Sequence, residues 1–221
     1  MRLRHKAVQA AAAFLLFAVT QAPAATINWG SPVLSTTADS KGEALDSSYS
    51  VELGAFANGF VPTAENTEDW AANWRTFSVA SFDPELGYFT GTADLLVGGG
   101  SSDPLADTGI NFSDMEVYVW VFNSTTMEPE SEWFLGRSDS WVMPTAPTEC
   151  CDNGLPTQWS TTDFTTSDTP VYGAQGPVFG GGVSDNPGVY TIQTHTVPEA
   201  STLVLAAFGM MFCLRRRRPI S

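Results

Sequence analysis

Apolar and polar residues alternate with a period of two in several short stretches of the chain, which is the pattern of half-buried β-strands. The alternation is clearest over residues 49–56, and residues 115–122 add the β-branched and aromatic side chains that strands favour. Weaker strand patterns cover residues 87–96, 132–135, 140–143, 170–172 and 189–194. Turn-forming residues separate these stretches and no long helices alternate with them. The pattern therefore predicts an all-β fold, a single β-sandwich, with a jelly roll as the more specific alternative.

One short helix is predicted within this β-rich pattern. Asn66 or Thr67 would cap its amino terminus, and the two acidic residues that follow suit the positive first turn of a helix. Trp70 and Trp74 are four residues apart and would share one face. The pair has two interpretations, a stacking platform for sugar rings or the packing of the helix onto the sheet, and packing is the favoured one.

The amino-terminal residues 1–24 have the pattern of a cleavable signal peptide. Three basic residues near the start precede an apolar run over residues 7–20, and alanines follow at Ala22 and Ala24. These alanines are the −3 and −1 positions of a cut before Ala25. Since the apolar run is shorter than the roughly 20 residues that a membrane span prefers, cleavage is favoured over permanent anchoring. We expect an export translocase and a signal peptidase as partners.

The carboxyl-terminal end combines an apolar segment with a cluster of positive charge. Residues 202–214 carry no charge, and four arginines follow directly: Arg215, Arg216, Arg217 and Arg218. Such a cluster holds its end of the chain on the cytoplasmic side, so the body would lie outside the inner membrane. The apolar segment is short for a stable span, which predicts a short helix that anchors the protein transiently.

A Pro-Glu element stands just before this segment, in the order Val197, Pro198, Glu199 and Ala200. The element, the apolar helix and the arginine cluster together resemble the PEP-CTERM sorting signal of Gram-negative bacteria. Ala200 stands where that family usually has a second proline, so the three-part architecture carries the resemblance. It implies recognition by an exosortase, cleavage near the Pro-Glu element, and a setting in which exopolysaccharide is made.

The two ends leave one folded body, whose composition is strongly acidic. We predict a signal peptide over 1–24, a β-sandwich body over 25–194, and a stalk with its sorting tail over 195–221. Between residues 25 and 198, three basic residues stand against 23 acidic ones, a formal charge of about −20. Such a surface lacks the cations that nucleic acids require. All seven tryptophans lie in the body, so it has enough apolar surface for a real core.

Cysteine usage adds one local feature to the body. Cys150 and Cys151 are neighbours in a turn-like stretch, and the third cysteine belongs to the tail. The adjacent pair can form a vicinal disulfide, stay as two free thiols or bridge two molecules. An oxidising compartment outside the cell favours the vicinal bridge.

Side-chain chemistry excludes most designs for a catalytic or metal site. His195 is the only histidine between residues 25 and 198, which removes serine-histidine and cysteine-histidine hydrolases and multi-histidine metal sites. No cofactor is expected, with the exception of calcium. Four oxygen-bearing side chains fall within a dozen residues of predicted loop, and hard cations prefer such ligands. These candidates are Asp103, Asp107, Asn111 and Asp114.

Two functions of different class fit these patterns. The first is an exported cell-surface or matrix protein, whose non-catalytic acidic β-sandwich interacts with exopolysaccharide or neighbouring proteins. The second is a secreted carbohydrate-active domain, either a calcium-dependent binding module or a carboxylate-based glycoside hydrolase. Exposed tryptophans on a concave sheet face would favour binding, whereas two buried carboxylates in a cleft would favour hydrolysis.

Overall fold

The computed structural model describes residues 24–33, 37–148, 155–164, 170–176 and 192–198. Helical structure in these ranges is one α-helical turn, α1 (Trp70–Asn73), with 3-10 turns at Thr67–Asp69 and Thr161–Asp163. The strands in the same ranges are β1 Ala24–Gly30, β2 Thr37–Ala38, β3 Ser50–Phe56, β4 Trp74–Val79, β5 Ser81–Asp83, β6 Tyr88–Leu96, β7 Tyr118–Phe122, β8 Glu132–Gly136, β9 Thr157–Ser160, β10 Ala174–Gln175, β11 Ile192–Gln193 and β12 His195–Thr196. The predicted all-β class with one short helix is confirmed.

The strands form two larger sheets and one small sheet. The four-stranded sheet has the order β5-β6-β1-β9, and the five-stranded sheet has the order β12-β8-β7-β3-β4. The small sheet has the order β10-β11-β2. Neighbouring strands are antiparallel except in the pairs β1–β9 and β2–β11. Some antiparallel pairs join segments that are far apart in sequence, such as β1 and β6, and others join consecutive strands, such as β5 and β6.

The two larger sheets share one hydrophobic core, which makes the arrangement sandwich-like. Alternate residues of each strand point into it, as expected for side chains with a period of two. The four-stranded sheet contributes Ile27, Trp29, Phe89, Ala93, Leu95 and Trp159. The five-stranded sheet contributes Val51, Leu53, Ala55, Phe77, Val119, Val121 and Phe134.

The outer face of the five-stranded sheet is buried as well, beneath α1 and its flanking loops. A second apolar group lies there, and we call it the aromatic cluster: Phe56, Trp70, Trp74, Tyr118, Trp120, Phe122 and Trp133. Within it the rings of Trp70 and Trp133 stack with centroids 5.5 Å apart, and Trp120 meets Trp74 edge-on at 5.4 Å. Every residue of β7 and β8 is consequently buried.

Several strand predictions are confirmed, and others differ in extent. The patterns over 49–56, 87–96 and 132–135 correspond to β3, β6 and β8. Residues 140–143 and 170–172 form no strand and make only isolated bridges, Val142 with Glu116 and Tyr172 with Leu135. The sequence pattern does not predict strands β1, β2, β4, β5, β9, β10 and β12.

The helix is shorter than its sequence pattern predicts. Trp74 has extended backbone angles (φ −66°, ψ 143°) and begins β4, so only Trp70 of the tryptophan pair is helical. Asn66 occupies the predicted cap position of the preceding 3-10 turn but makes no capping hydrogen bond. Its Oδ1 instead accepts a hydrogen bond from Trp70 Nε1 at 2.9 Å. The same oxygen accepts from the Thr63 amide at 2.8 Å, so this residue orients the indole and the preceding loop rather than the amides of the helical turn.

The folded body extends beyond the boundary predicted at Thr194. His195 and Thr196 form β12 and pair with Trp133 and Glu132 at the edge of the five-stranded sheet. Val197 is buried in contact with the aromatic cluster, and its amide donates to the Ser131 carbonyl at 2.7 Å. The first residues assigned to the stalk thus belong to the sheet.

Candidate functional site

The described residues include parts of both predicted processing sites. Ala24 and Ala25 are the first residues of β1 and pair with Leu96 and Leu95 of β6. At the other end Val197 is buried and Pro198 is exposed. The remaining predicted residues of the two signals and the cysteine pair lie outside the described residues: Ala22, Glu199, Ala200, Arg215, Arg216, Arg217, Arg218, Cys150 and Cys151. No helix among the residues that the structure describes is long and apolar enough to cross a membrane.

The acidic loop over residues 103–114, which was predicted to hold calcium, forms hydrogen bonds to the edge of the five-stranded sheet. Its four candidate side chains do not converge on one point. Asp103 Oδ2 accepts a hydrogen bond from the Val79 amide at 2.8 Å, and Asp107 Oδ2 accepts one from the Thr76 amide at 2.9 Å. The Asp107 amide returns a hydrogen bond to the Thr76 carbonyl at 2.9 Å. The loop thereby satisfies backbone groups that an edge strand leaves unpaired, which protects β4 from pairing with other chains.

The other two calcium candidates have separate partners. Asn111 Oδ1 accepts a hydrogen bond from the Ser113 amide, and Asp114 Oδ1 accepts one from the Thr145 hydroxyl at 2.7 Å. Among the described ranges, no group of three or more His, Cys, Asp or Glu side chains is arranged to hold a metal ion. Calcium therefore stays a prediction, and this loop has a structural role that needs no ion.

All seven tryptophans are buried, which decides between the two interpretations of the Trp70–Trp74 pair. Trp70 is fully buried and Trp74 is 6% exposed, and both pack in the aromatic cluster. The other five are Trp29, Trp120, Trp133, Trp141 and Trp159, none more than 8% exposed. Core packing is confirmed, and no exposed tryptophan platform exists for stacking sugar rings.

An open polar pocket of about 400 Å³ lies beside the aromatic cluster, and we call it the outer-face pocket. Its lining includes two acids, one base, the hydroxyl of a strand residue and two indoles: Glu52, Asp107, Arg75, Thr76, Trp74 and Trp120. Strands β3, β4 and β7 supply all of these except Asp107, which comes from the acidic loop. The pocket therefore lies where the edge of the five-stranded sheet meets its outer face.

Hydrogen bonds hold the two acids of the outer-face pocket in place. Glu52 Oε2 accepts from Trp74 Nε1 and from the Thr76 hydroxyl, both at 2.8 Å. Asp107 is bound to the amide of the same Thr76, so the two carboxylates flank one residue of β4. The guanidinium of Arg75 donates to the Trp74 carbonyl, which keeps the cation at the rim.

A close approach of two strands shapes the floor of this pocket. The register of β3 and β4 shifts between Leu53 and Gly54, and the ring of Trp74 lies over Gly54. A Cβ atom at Gly54 would stand 2.3 Å from the Arg75 carbonyl oxygen. Only glycine fits there, which lets the Trp74 indole reach Glu52.

Glu132 is a buried carboxylate in β8, beside the edge strand β12 at the opposite side of the same sheet. Its Oε2 accepts hydrogen bonds from the Ser40 amide at 2.9 Å, the Tyr49 hydroxyl at 2.9 Å and the Thr194 hydroxyl at 2.6 Å, and its Oε1 accepts one from the Ser40 hydroxyl. Burial alone raises the pKa of a carboxyl group, but these hydrogen bonds outweigh burial and lower the pKa of Glu132. Burial and the neighbouring carboxylate raise the pKa of Tyr49. The group is therefore an ionised structural anchor.

The anchor joins segments from across the chain. Ser40 and Tyr49 precede β3, whereas Thr194 lies between β11 and β12, directly before the end of the described chain. The sequence pattern does not single out Glu132. Glu116, which has apolar neighbours in the chain, is exposed and forms an ion pair with Arg137 at 3.2 Å.

Comparisons with known proteins give no relative for this chain. No protein-family model matches it, and no curated protein or solved structure does so.

Proposed function

We propose that the chain is an exported cell-surface or matrix protein of the PEP-CTERM type. A translocase and a signal peptidase process its amino terminus, and an exosortase sorts and cuts it near Pro198 and Glu199. Before that cut the short apolar helix over 202–214 anchors it in the inner membrane. The mature body then lies at the cell surface or in the extracellular matrix and binds no nucleic acid.

One observation carries this proposal: the sheet residues run up to both proposed cutting sites. A cut after Ala24 leaves Ala25 at the start of β1, still opposite Leu95. A cut beyond Pro198 leaves Val197 buried and hydrogen-bonded to Ser131. Of the described sheet residues, the two cuts would remove only Ala24 at the end of β1, which suits removable signals.

We propose a non-catalytic role for the body, in contact with exopolysaccharide. Two features support this role: the high negative charge, which suits a protein facing salt and cations outside the cell, and the rigid sheet buried on both faces. The two larger sheets would form a β-sandwich, with a jelly roll as its more specific alternative. The histidine that a serine- or cysteine-type hydrolase would need is His195, which is exposed and packs edge-on against Tyr172.

A glycoside hydrolase is the second candidate function. The observation that favours it is the pair of carboxylates in the outer-face pocket, Glu52 and Asp107, which flank Thr76. Paired carboxylates are the machinery of glycosidases. Against it, both acids are already engaged in hydrogen bonds that hold the sheet edge together.

Processing is tested in the native host with a double variant, Pro198→Ala with Glu199→Ala. We expect the wild-type protein to reach the surface or medium without its tail, and the double variant to stay in the inner-membrane fraction at full length. An exposed acid outside the signal, Glu85→Gln, serves as the control and should behave as the wild type. Export of the double variant in the same processed form would contradict sorting through this element.

A further inference from the structure

A segment that runs into the Pro-Glu element joins two sheets of the body, and we call residues 192–197 the strap. Its first two residues form β11 and pair with β2 in the small sheet. His195 and Thr196 form β12 and pair with β8 in the five-stranded sheet. Four of the six side chains of the strap are buried: Ile192, Gln193, Thr194 and Val197. The chain is therefore part of the fold up to the residue that precedes Pro198.

Hydrogen bonds occupy the backbone of the strap near its end. The Val197 amide donates to the Ser131 carbonyl at 2.7 Å, and the Tyr172 hydroxyl donates to the Thr196 carbonyl at 2.7 Å. An enzyme that binds a chain in extended form pairs with backbone groups of this kind. Since the groups of the docked strap already have partners, the strap does not offer them to a processing enzyme.

Thr194 fastens the middle of the strap. Its amide donates to the Ala38 carbonyl at 2.9 Å, and its hydroxyl donates to Glu132 Oε2 at 2.6 Å. The residue is only 1% exposed, so water does not reach these groups while the strap is docked. Opening the strap breaks both hydrogen bonds and exposes buried side chains. The open state is therefore a minor population of the folded protein.

Val197 belongs both to the fold and to the sorting element. It is 4% exposed and packs in contact with the aromatic cluster, whereas Pro198, the next residue, is exposed. A side chain that is buried in the body cannot at the same time enter the binding site of an enzyme. The docked body therefore presents the element from Pro198 onward, and contact with Val197 or with earlier residues requires the strap to open.

We propose that the strap regulates processing by fixing where the mature protein ends. While the strap is docked, the sorting enzyme cuts on the tail side of Val197, and the strap becomes a substrate only in its open state. Tyr172 and Thr194 are positioning residues in this device, because they act on the cut through the strap. This inference rests on the proposed function, because it concerns the same processing event.

Digestion of the full-length chain with proteinase K, in mild detergent, tests the strap without the sorting enzyme. Mass spectrometry of the new carboxyl termini measures the rate of cutting within residues 192–197. Where opening and closing are faster than cutting, this rate follows the population of the open strap. We expect cutting there to be slow in the folded protein and fast in urea, because the fold and not the local sequence protects these bonds.

Two conservative variants loosen the strap at different places. Tyr172→Phe keeps the ring and removes its hydrogen bond to the strap, and cutting within the strap should become about fivefold faster. Thr194→Val keeps the shape of the side chain and removes the hydrogen bond to Glu132. Its effect should be about tenfold or more, because a hydrogen bond to a charged group is the stronger kind. Tyr88→Phe, in β6 of the four-stranded sheet, is the matched control and should be cut at the wild-type rate.

Thermal unfolding of each variant separates opening of the strap from loss of the fold. A rate of cutting in either strap variant that equals the rate in Tyr88→Phe would overturn the proposal. Strap cutting in the folded wild type that is as fast as in urea would overturn it too, and so would protection that persists in urea. The native host distinguishes this inference from the proposed function. A mature wild-type protein that ends before Val197 contradicts the strap alone, whereas one that keeps Arg215 to Arg218 contradicts the sorting itself.

Discussion

Replacing Glu132 by glutamine or alanine removes the charge that holds three separate segments at one edge of the sheet. Four hydrogen bonds converge on this carboxylate, and the residue is only 6% exposed. The donor of Thr194 is fully buried, whereas Ser40 and Tyr49 are half-buried and can regain water. The substitution should therefore cost most at Thr194, because its buried hydroxyl loses the carboxylate as an acceptor and water cannot replace it.

The magnitude follows from these contacts. A hydrogen bond to a charged group contributes about 1.5–3 kcal/mol, and a buried donor left alone costs about 1–3 kcal/mol. We count the cost of the hydrogen bond lost at Thr194 in full and the costs at the half-buried donors in part. On this basis Glu132→Ala should lower the free energy of unfolding by about 3–5 kcal/mol. Glu132→Gln keeps one acceptor oxygen, so its loss should be nearer 2–3 kcal/mol.

The dependence on pH gives this prediction its sharpest check. The pKa of Glu132 is lowered in the folded state from an ordinary value of 4.5, so its stabilisation is complete above that value. It is lost as the pH falls through the lower, folded-state pKa. The difference in stability between wild type and Glu132→Gln should therefore be largest at neutral pH and shrink below about 4.5.

Urea unfolding of wild type, Glu132→Gln and Glu85→Gln between pH 3 and 7 measures this difference. Glu85 is exposed in the turn between β5 and β6, and its substitution should change stability by less than about 0.5 kcal/mol. A difference between wild type and Glu132→Gln that stays below about 1 kcal/mol, or that does not change with pH, would refute the anchoring role.

Three further predictions concern the rest of the body. Millimolar calcium should raise the melting temperature more than sodium at matched ionic strength, because cation binding relieves the repulsion of about 20 excess negative charges. Equal shifts with both salts would show ionic screening alone and would contradict a calcium site. Asp103→Ala should increase aggregation in light scattering, because the Val79 amide on the edge of β4 loses its partner; unchanged scattering would contradict edge protection. The body should hydrolyse no polysaccharide in a broad screen, and turnover abolished by Glu52→Gln or Asp107→Asn would promote the hydrolase.

The sequence predicts those strands whose burial follows a simple alternation. In β6 polar and apolar residues alternate along the strand, and its pattern is recognisable without any partner. Strand β4 is different, because most of its residues are buried on one face or the other. The four-residue spacing of Trp70 and Trp74 resembles a helix, although Trp74 belongs to the sheet. Local spacing could not reveal that both indoles fill one cluster.

The sequence pattern predicts little of the candidate site, because the contacts that form the site also join distant parts of the chain. The partners of Glu132 are 62 to 92 positions away along the chain, so no local motif marks it as buried. Its one signal is its position directly before Trp133, Phe134 and Leu135, in a strand buried on both faces. The acidic loop was recognised as a group of oxygen ligands, but its hydrogen bonds to the edge of β4 depend on tertiary contacts.

Intact-mass analysis of the mature protein from its native host tests the central claim most directly. The account predicts a chain that begins at Ala25 and ends between Pro198 and Ser201, because both flanking segments have the pattern of removable signals and the described sheet would lose only Ala24. A mature surface protein that still carries Arg215 to Arg218 would contradict the proposed sorting and cleavage.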